Sequence, residues 1–227
     1  MLHPLRMRLR GRGRLAAVVL ALAATLGLGI TGTPTAGAAT GAAPGPASHA
    51  VPLAAPLSAP AAATSTLAGA KQLNITMQAQ QNTNWCWAAS GNTIATWFGR
   101  SYSQNQFCNA AFNRAQGSTC GNWQASLDNV QSALDWAGIN PGSYVTGYLR
   151  YATVQSEISA NRPVETRIAW SSGGGHMHVL YGYDTATNFV YWGDPWPSNY
   201  RYNWADYSYY VNNSSFSWTH SLYRIGA

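Results

Sequence analysis

The stretch that decides the fold reads QQNTNWCWAAS at residues 80–90 and continues as GNTIATWF to residue 98. A polar run leads into apolar residues at helical spacing, and Gly99 ends the pattern. The spacing predicts a helix over residues 85–98 whose first turn carries Cys86. Because the N-terminal end of a helix holds partial positive charge and free N–H groups, it favours a thiolate. Cys86 is therefore a candidate nucleophile, and the alternative is a buried structural cysteine.

The two other cysteines strengthen this interpretation of Cys86. Cys108 and Cys120 are close together in a stretch rich in Asn, Gly and Ser. In an oxidising compartment we expect these two to form a disulfide, which leaves Cys86 as a free thiol.

A partner for the thiol lies in GGGHMHVL, residues 173–180, where a glycine loop enters an apolar strand. Strand side chains alternate, so His176 and His178 share one face, which favours a site over simple packing. His176 is the predicted base. Asp194 is the only carboxylate at the end of the next predicted strand, and it is the candidate that orients the imidazole. Its alternative role is the start of an Asp-Pro turn.

An acyl-transfer site also needs hydrogen-bond donors for the developing oxyanion. The backbone N–H of Cys86, at the helix start, is one predicted donor. A side-chain amide just before the helix is the second, and Gln80 and Gln81 both qualify.

Composition divides the chain into three parts. Residues 1–38 read as a secretory signal with an Arg-rich start, an apolar run of about 16 residues and a small-residue cleavage site. A spanning helix needs about 20 residues, so export is favoured over a membrane anchor, and the Arg-rich start suggests a bacterium. Residues 39–70 are almost all Ala, Pro, Gly, Ser and Thr and predict a disordered linker, with a short pro-segment as the alternative. Residues 71–227 form one domain.

The positive net charge belongs to the signal. Of 13 Lys and Arg residues, five are the arginines of residues 6–14, so eight remain against seven acids. The exported part then carries a net charge of +1, which gives no support for nucleic-acid binding. We expect a monomer outside the cell that uses no cofactor.

The order of elements predicts an α+β domain. After the helix at 85–98, Asn122 is a candidate cap for a second helix through about residue 137, and a short helix is expected at 153–160. Strands are predicted at residues 164–170, 177–183, 189–192, 207–211 and 217–223.

These motifs in this order resemble papain-like cysteine peptidases, and most closely the compact bacterial secreted and effector branch related to bacteriocin-leader-processing peptidases. The match covers roughly residues 72–200. It implies Cys86 as nucleophile, His176 as general base, Gln80 as oxyanion-hole amide and Asp194 at the position of the family's Asn or Asp. It also implies a helical half led by the Cys86 helix and an antiparallel β half, with the cleft between them. Asp-Pro stands where papain has Asn-Ser-Trp, the helical pro-domain of papain is absent, and His178 is an additional imidazole.

The implied activity is cleavage of a peptide bond through a thioester acyl-enzyme, with a protein or peptide as substrate. Cell-wall peptides are a possible variant, which makes a peptidoglycan amidase or transpeptidase the alternative. Two other classes stay open. One is a metal site, since zinc binds the donor types offered by His176, His178, Asp194 and a thiolate. We expect no metal, because a zinc site would leave Gln80 without a purpose. The Tyr- and Trp-rich C-terminal region is also compatible with a non-catalytic binding module.

Overall fold

The computed structural model describes residues 69–227. The predicted signal at residues 1–38 and all but the last two residues of the predicted linker lie outside the described residues. No helix within residues 69–227 combines the length and the apolar character that a membrane crossing needs.

Helices dominate the first half of the described chain. Their bounds are α1 Cys86–Trp97, α2 Gln104–Ala111, α3 Leu127–Trp136, α4 Tyr151–Ser159 and the short α5 Tyr207–Val211. Gly91 lets α1 and α2 approach closely, since a side-chain carbon there would lie 2.6 Å from the ring of Phe107. Phe107, Ile94 and Val130 are fully buried where the first three helices meet.

The strands, five of which follow residue 160, form one seven-stranded antiparallel sheet. Its strands are β1 Ala70–Gln72, β2 Ser143–Thr146, β3 Val164–Trp170, β4 Gly175–Asp184, β5 Phe189–Gly193, β6 Tyr202–Asp206 and β7 Phe216–Tyr223. The order is β2-β7-β3-β4-β5-β6, and β1 pairs with the second half of β4. The predicted α+β class, with a helical half before an antiparallel half, is confirmed.

The long strand β4 is the centre of the domain. It pairs with β3 through residues 175–180 and with β5 through residues 179–184, and eight of its ten residues are buried. Helix α1 packs against it, and Ser90 Oγ donates to the carbonyl of Met177 at 3.2 Å in a fully buried position. This packing brings the start of α1 to the start of β4.

Two of the predicted elements are wrong. Residues 207–211 form the helix α5 and not a strand, because the Asp206 side chain accepts the N–H of Ser208 and starts a turn despite the aromatic content. Asn122 does not cap a helix, because α3 starts only at Leu127, after Ser126.

Asn122 instead supports the segment that leads to Cys86. Its Oδ1 accepts the backbone N–H of Asn84 at 2.8 Å, and its Nδ2 donates to Thr83 Oγ1 at 2.7 Å. Helix α2 and the strands β1, β2 and β6 are further elements that were not predicted from the sequence. For α2 a signal was present, because Ser103 and Gln106 form a capping box at its start.

Candidate active site

Cys86 is the first residue of α1. Its N-cap, Trp85, makes no side-chain hydrogen bond to the first helical turn. The N–H groups of that turn have no intrahelical acceptor by position, so they are free to donate beside the sulfur. Cys86 is partly exposed, and it is the free cysteine of the described residues because a disulfide joins Cys108 to Cys120. The sulfur therefore has both access to substrate and donors nearby.

Two indole N–H groups hold the start of α1 in place. Trp85 Nε1 donates to the carbonyl of Gly121 at 2.9 Å, and Trp87 Nε1 donates to the carbonyl of Trp123 at 3.0 Å. The disulfide comes immediately before this acceptor segment and restrains it. The Trp-Cys-Trp sequence thus anchors Cys86 on both sides.

The imidazole and the carboxylate come from neighbouring strands. His176 is the second residue of β4, and Asp194 follows the last residue of β5. His176 Nε2 lies 2.7 Å from Asp194 Oδ1, and both side chains are buried. Because the carboxylate occupies Nε2, Nδ1 is the ring atom left to serve the Cys86 side chain, which lines the same cleft as His176. The structure therefore brings Cys86, His176 and Asp194 together.

The electrostatics of this group favour an imidazolium. Burial by itself disfavours a charged ring, but hydrogen bonds and charge from Asp194 and Cys86 raise the pKa of His176 to about 9. Burial would also raise the pKa of Asp194, yet the hydrogen bond from His176 and the positive charge hold it well below its usual value. A raised histidine pKa contributes stability that is complete below the ordinary value of 6.5 and is lost as the pH rises through about 9.

Asp194 is held by more than the histidine. Its Oδ1 accepts the backbone N–H of Trp196 at 2.8 Å, and its Oδ2 accepts Asn199 Nδ2 at 2.9 Å. The guanidinium of Arg201 donates to the carbonyl of Asp194 and fixes the loop that carries it. These bonds offset the cost of burying the carboxylate and fix its direction.

His178, which has no role in the predicted site, lies behind this carboxylate. Its Nδ1 is hydrogen-bonded to the hydroxyl of Tyr210 at 3.2 Å, and that hydroxyl contacts Thr166 Oγ1 at 2.7 Å. Its Nε2 is 3.6 Å from Asp194 Oδ2, which is longer than a hydrogen bond. Burial lowers the pKa of His178, so the ring that packs behind Asp194 is neutral at neutral pH.

A cleft of about 350 Å³ opens over Cys86 and His176. Trp170 stacks on the His176 ring with centroids 6.0 Å apart, and Trp196 meets the same ring edge-on at 6.2 Å. Both tryptophans line the cleft and shield the buried pair from water. Trp170, Trp196 and Asn199 line this cleft but were not predicted from the sequence. The nearness of Trp196 to Asp194 in DPWP was the available signal.

Gln80, the predicted oxyanion-hole amide, lies beside the cleft and does not line it. Its Nε2 donates to the carbonyls of Asn82 and Thr83, each at 2.9 Å, and these two bonds use both of its hydrogens. Its Oε1 is buried without a partner. Gln81, the other qualifying amide, is exposed. In this arrangement Gln80 braces the loop before Cys86.

Within residues 69–227, one group has the composition of a metal site, and it consists of His176, His178 and Asp194. The nearest ligand atoms of His176, His178 and Asp194 all lie within 4.8 Å of one another. However, both carboxylate oxygens already accept N–H donors, from the ring at 2.7 Å and from the Asn199 amide at 2.9 Å. The bonding pattern is that of an ion-paired imidazole and carboxylate.

The family model described as papain-like cysteine protease AvrRpt2 matches residues 69–212. Because the match covers more than half of the 227 residues, the class of protein is settled: this is a cysteine-type peptidase. The chain belongs to this papain-like cysteine protease family. No curated protein matches it significantly.

Several solved structures are similar. The peptidase domain of Streptococcus ComA, a bi-functional ABC transporter involved in a quorum sensing pathway, shares 16% identity. That match covers 64% of this chain and 95% of the domain, with a TM-score of 0.47. Xylellain, a cysteine protease from Xylella fastidiosa, shares 12% identity over 70% of this chain and 87% of its own, with a TM-score of 0.45. A double glycine motif protease from an AMS/PCAT transporter, solved with its leader peptide, shares 16% identity over 67% and 93%, with a TM-score of 0.44.

The pKa of His176 gives a direct test of this electrostatic arrangement. We expect a titration midpoint near pH 9 in the wild type, and a clearly lower midpoint in Asp194→Asn, because that change removes the charge that stabilises the imidazolium. NMR of ¹³C-labelled histidine rings across pH 5–10 measures it. Asp135→Asn, at an exposed aspartate, is the matched control and should leave the midpoint unchanged. Equal midpoints in wild type and Asp194→Asn would contradict the pairing.

Proposed function

We propose that the chain is exported and cleaves peptide bonds as a monomer, through Cys86, His176 and Asp194 and a thioester acyl-enzyme. The observation that carries the proposal is the 2.7 Å contact between His176 Nε2 and Asp194 Oδ1, beside a cleft that Cys86 and His176 both line. Membership of a papain-like cysteine protease family supports the reaction class.

Acylation follows from this arrangement. The Cys86 sulfur attacks the carbonyl carbon of the scissile bond, and His176, positioned through Nδ1, carries the proton. When the tetrahedral intermediate collapses, the C–N bond breaks and the imidazolium protonates the departing amine. The first product leaves as an amine, and the acyl group stays on the sulfur as a thioester.

Deacylation uses the same residues, but His176 now acts as a base where it acted as an acid before. His176 takes a proton from a water molecule, the hydroxide attacks the thioester, and the C–S bond breaks to release a carboxylic acid. Asp194 stays ionised and keeps the ring directed at the sulfur throughout. The hydrogen bonds from Trp196 and Asn199 to the carboxylate support this positioning role.

The oxyanion needs two donors. The backbone N–H of Cys86 is one, because the first residue of a helix has no intrahelical acceptor for it. We propose the Gln80 side-chain amide as the second. It becomes available when it exchanges one of its bonds to the loop carbonyls of Asn82 and Thr83 for a bond to the oxyanion.

Removing the proposed nucleophile or base should abolish turnover. We expect Cys86→Ala to leave no measurable cleavage of a mixed peptide library, and His176→Ala and Asp194→Ala to lower kcat/KM by about 10²–10⁴-fold. Mass spectrometry of the products measures the cleavage, and a rapid acid quench shows the acyl-enzyme as an added mass on Cys86. Purified peptidoglycan and an added amine acceptor are further arms, because a cell-wall amidase or a transpeptidase uses the same chemistry.

A matched control separates the site from its surroundings. Asp135→Ala changes an exposed aspartate outside the catalytic group and should retain wild-type cleavage. Wild-type turnover that survives in Cys86→Ala and is abolished by a chelator would overturn the thiol mechanism in favour of a metal site formed by His176, His178 and Asp194.

Kinetics can distinguish two roles of Gln80, donation to the oxyanion and support of the loop before Cys86. We expect Gln80→Ala to lower kcat by about 10²-fold or more, the effect of losing an oxyanion donor, while the rate of Cys86 alkylation by iodoacetamide stays near that of the wild type. Alkylation is measured by intact mass, and cleavage by product formation. If both rates fall together, Gln80 acts only by holding the loop before Cys86.

Export has its own test. The Arg-rich, apolar and small-residue pattern of residues 1–38 supports it, and so does a disulfide between Cys108 and Cys120. We expect the protein, expressed in a bacterial host, to appear in the medium cut near Ala38 and with that pair oxidised, as intact mass will show. A variant that starts after residue 38 is the control and should stay inside the cells. Export would be contradicted if the protein stayed inside the cells at its full length.

A further inference from the structure

We propose that Arg167 is a specificity-determining residue, whose unpaired guanidinium binds a carboxylate of the peptide substrate close to the scissile bond. The inference rests on the proposed peptidase function and adds the class of substrate to it.

Arg167 lies within the cleft and next to the proposed base. It belongs to β3 and stands opposite Met177 of β4, the residue that follows His176. A side-chain carbon at Gly175 would lie 2.6 Å from Arg167 Nη2, so the guanidinium rests directly against the backbone that precedes His176. A substrate group that reaches Arg167 is therefore only a few residues from the bond to be cleaved.

Arg167 also stands where the cleft continues into a second groove. Gln124, Ala125 and Arg167 line both the cleft over Cys86 and an adjoining groove of about 490 Å³. The far side of that groove carries Tyr144 and His220, whose rings stack with centroids 5.9 Å apart. A bound peptide that follows this path passes the guanidinium.

The guanidinium is held in position before any substrate arrives. Its Nη1 donates to Thr219 Oγ1 at 2.9 Å, and the Thr219 hydroxyl donates back to the Arg167 carbonyl at 3.1 Å. A guanidinium has five N–H donors, so four remain after this bond. Four donors in a fixed fork match the two oxygens of a carboxylate, and little side-chain entropy is lost on binding.

Among the residues that the structure describes, no carboxylate forms an ion pair with Arg167. Neither the cleft nor the adjoining groove has an Asp or Glu in its lining. Within residues 69–227, Arg162 is the one Lys or Arg that forms an ion pair, and its partner is Glu157. Glu165, two residues before Arg167 on β3, is fully buried without a hydrogen bond, and burial raises its pKa well above the usual value. No ion pair joins Glu165 to Arg167 among the described residues, so it is not a partner for that guanidinium.

The second titratable group in the groove does not replace Arg167. Burial and the charge of Arg167 lower the pKa of His220, so this ring is neutral at neutral pH. Arg167 is then the fixed positive charge of the groove, and the complementary ligand is an anion. In a peptide that anion is either an Asp or Glu side chain or the free C-terminal carboxylate.

Matched peptide pairs test the inference. Each pair carries Glu or Gln at one of the three positions on either side of a cleaved bond, with the C-terminus free or amidated. We expect one Glu position, or the free C-terminus, to raise kcat/KM by about tenfold or more over its neutral match, the effect of a charge-assisted hydrogen bond. A preference for Glu at one position shows that Arg167 binds a side-chain carboxylate. A loss of rate on amidation shows that it binds the C-terminal carboxylate.

Variants locate the effect. Arg167→Gln should reduce the ratio between acidic and neutral peptides to near one, while Arg150→Gln, at an exposed arginine outside the cleft, should keep it. The same comparison is made with peptidyl vinyl sulfones that carry Glu or Gln, read as labelling rates of Cys86, so it does not depend on turnover. Equal rates for acidic and neutral partners in the wild type, or a preference that persists in Arg167→Gln, would overturn the role of Arg167. Absence of both cleavage and labelling would instead defeat the proposed function.

Discussion

The packing of α1 across β4 is the constraint on which the site depends. Cys86 and His176 are 90 residues apart in sequence and lie on different halves of the fold, and neither element alone supplies a reactive pair. Helix α1 meets the strand through a buried seam with few polar bonds, among them the bond from Ser90 Oγ to the Met177 carbonyl. Because that carbonyl belongs to the residue after His176, a shift of the helix would change the distance between sulfur and imidazole directly.

Around this seam, polar groups are buried only where several bonds hold them. Asp194 accepts N–H donors from a ring, from the backbone and from an amide, which makes an ionised carboxylate tolerable in the interior. Trp170 and Trp196 cover the histidine and limit the access of water to its bond with the carboxylate. The charges that the proposed mechanism uses are therefore stabilised before substrate binds, in a site already shaped for it.

Much of this arrangement could be predicted from local patterns. The helix at Cys86, the strand at His176 and the position of Asp194 after the next strand follow from hydrophobic period and turn residues, which act over short distances. Other features could not be predicted in this way, because they depend on contacts that sequence spacing does not reveal. They are the roles of Asn122 and Gln80 and the helix α5. Asn122 binds a loop 38 residues away, and one side-chain cap turns residues 207–211 into a helix. The amide of Gln80 bonds to its own loop.

The central claim is that this packing makes Cys86 and His176 a single activated pair. Its most direct measurement is the rate at which an epoxysuccinyl thiol reagent labels the reduced, folded protein at mildly acidic pH, where an ordinary thiol is unreactive. We expect one rapid addition in the wild type, none in Cys86→Ala and a much slower addition in His176→Ala. No labelling of the wild type, or an equal rate without His176, would contradict the claim.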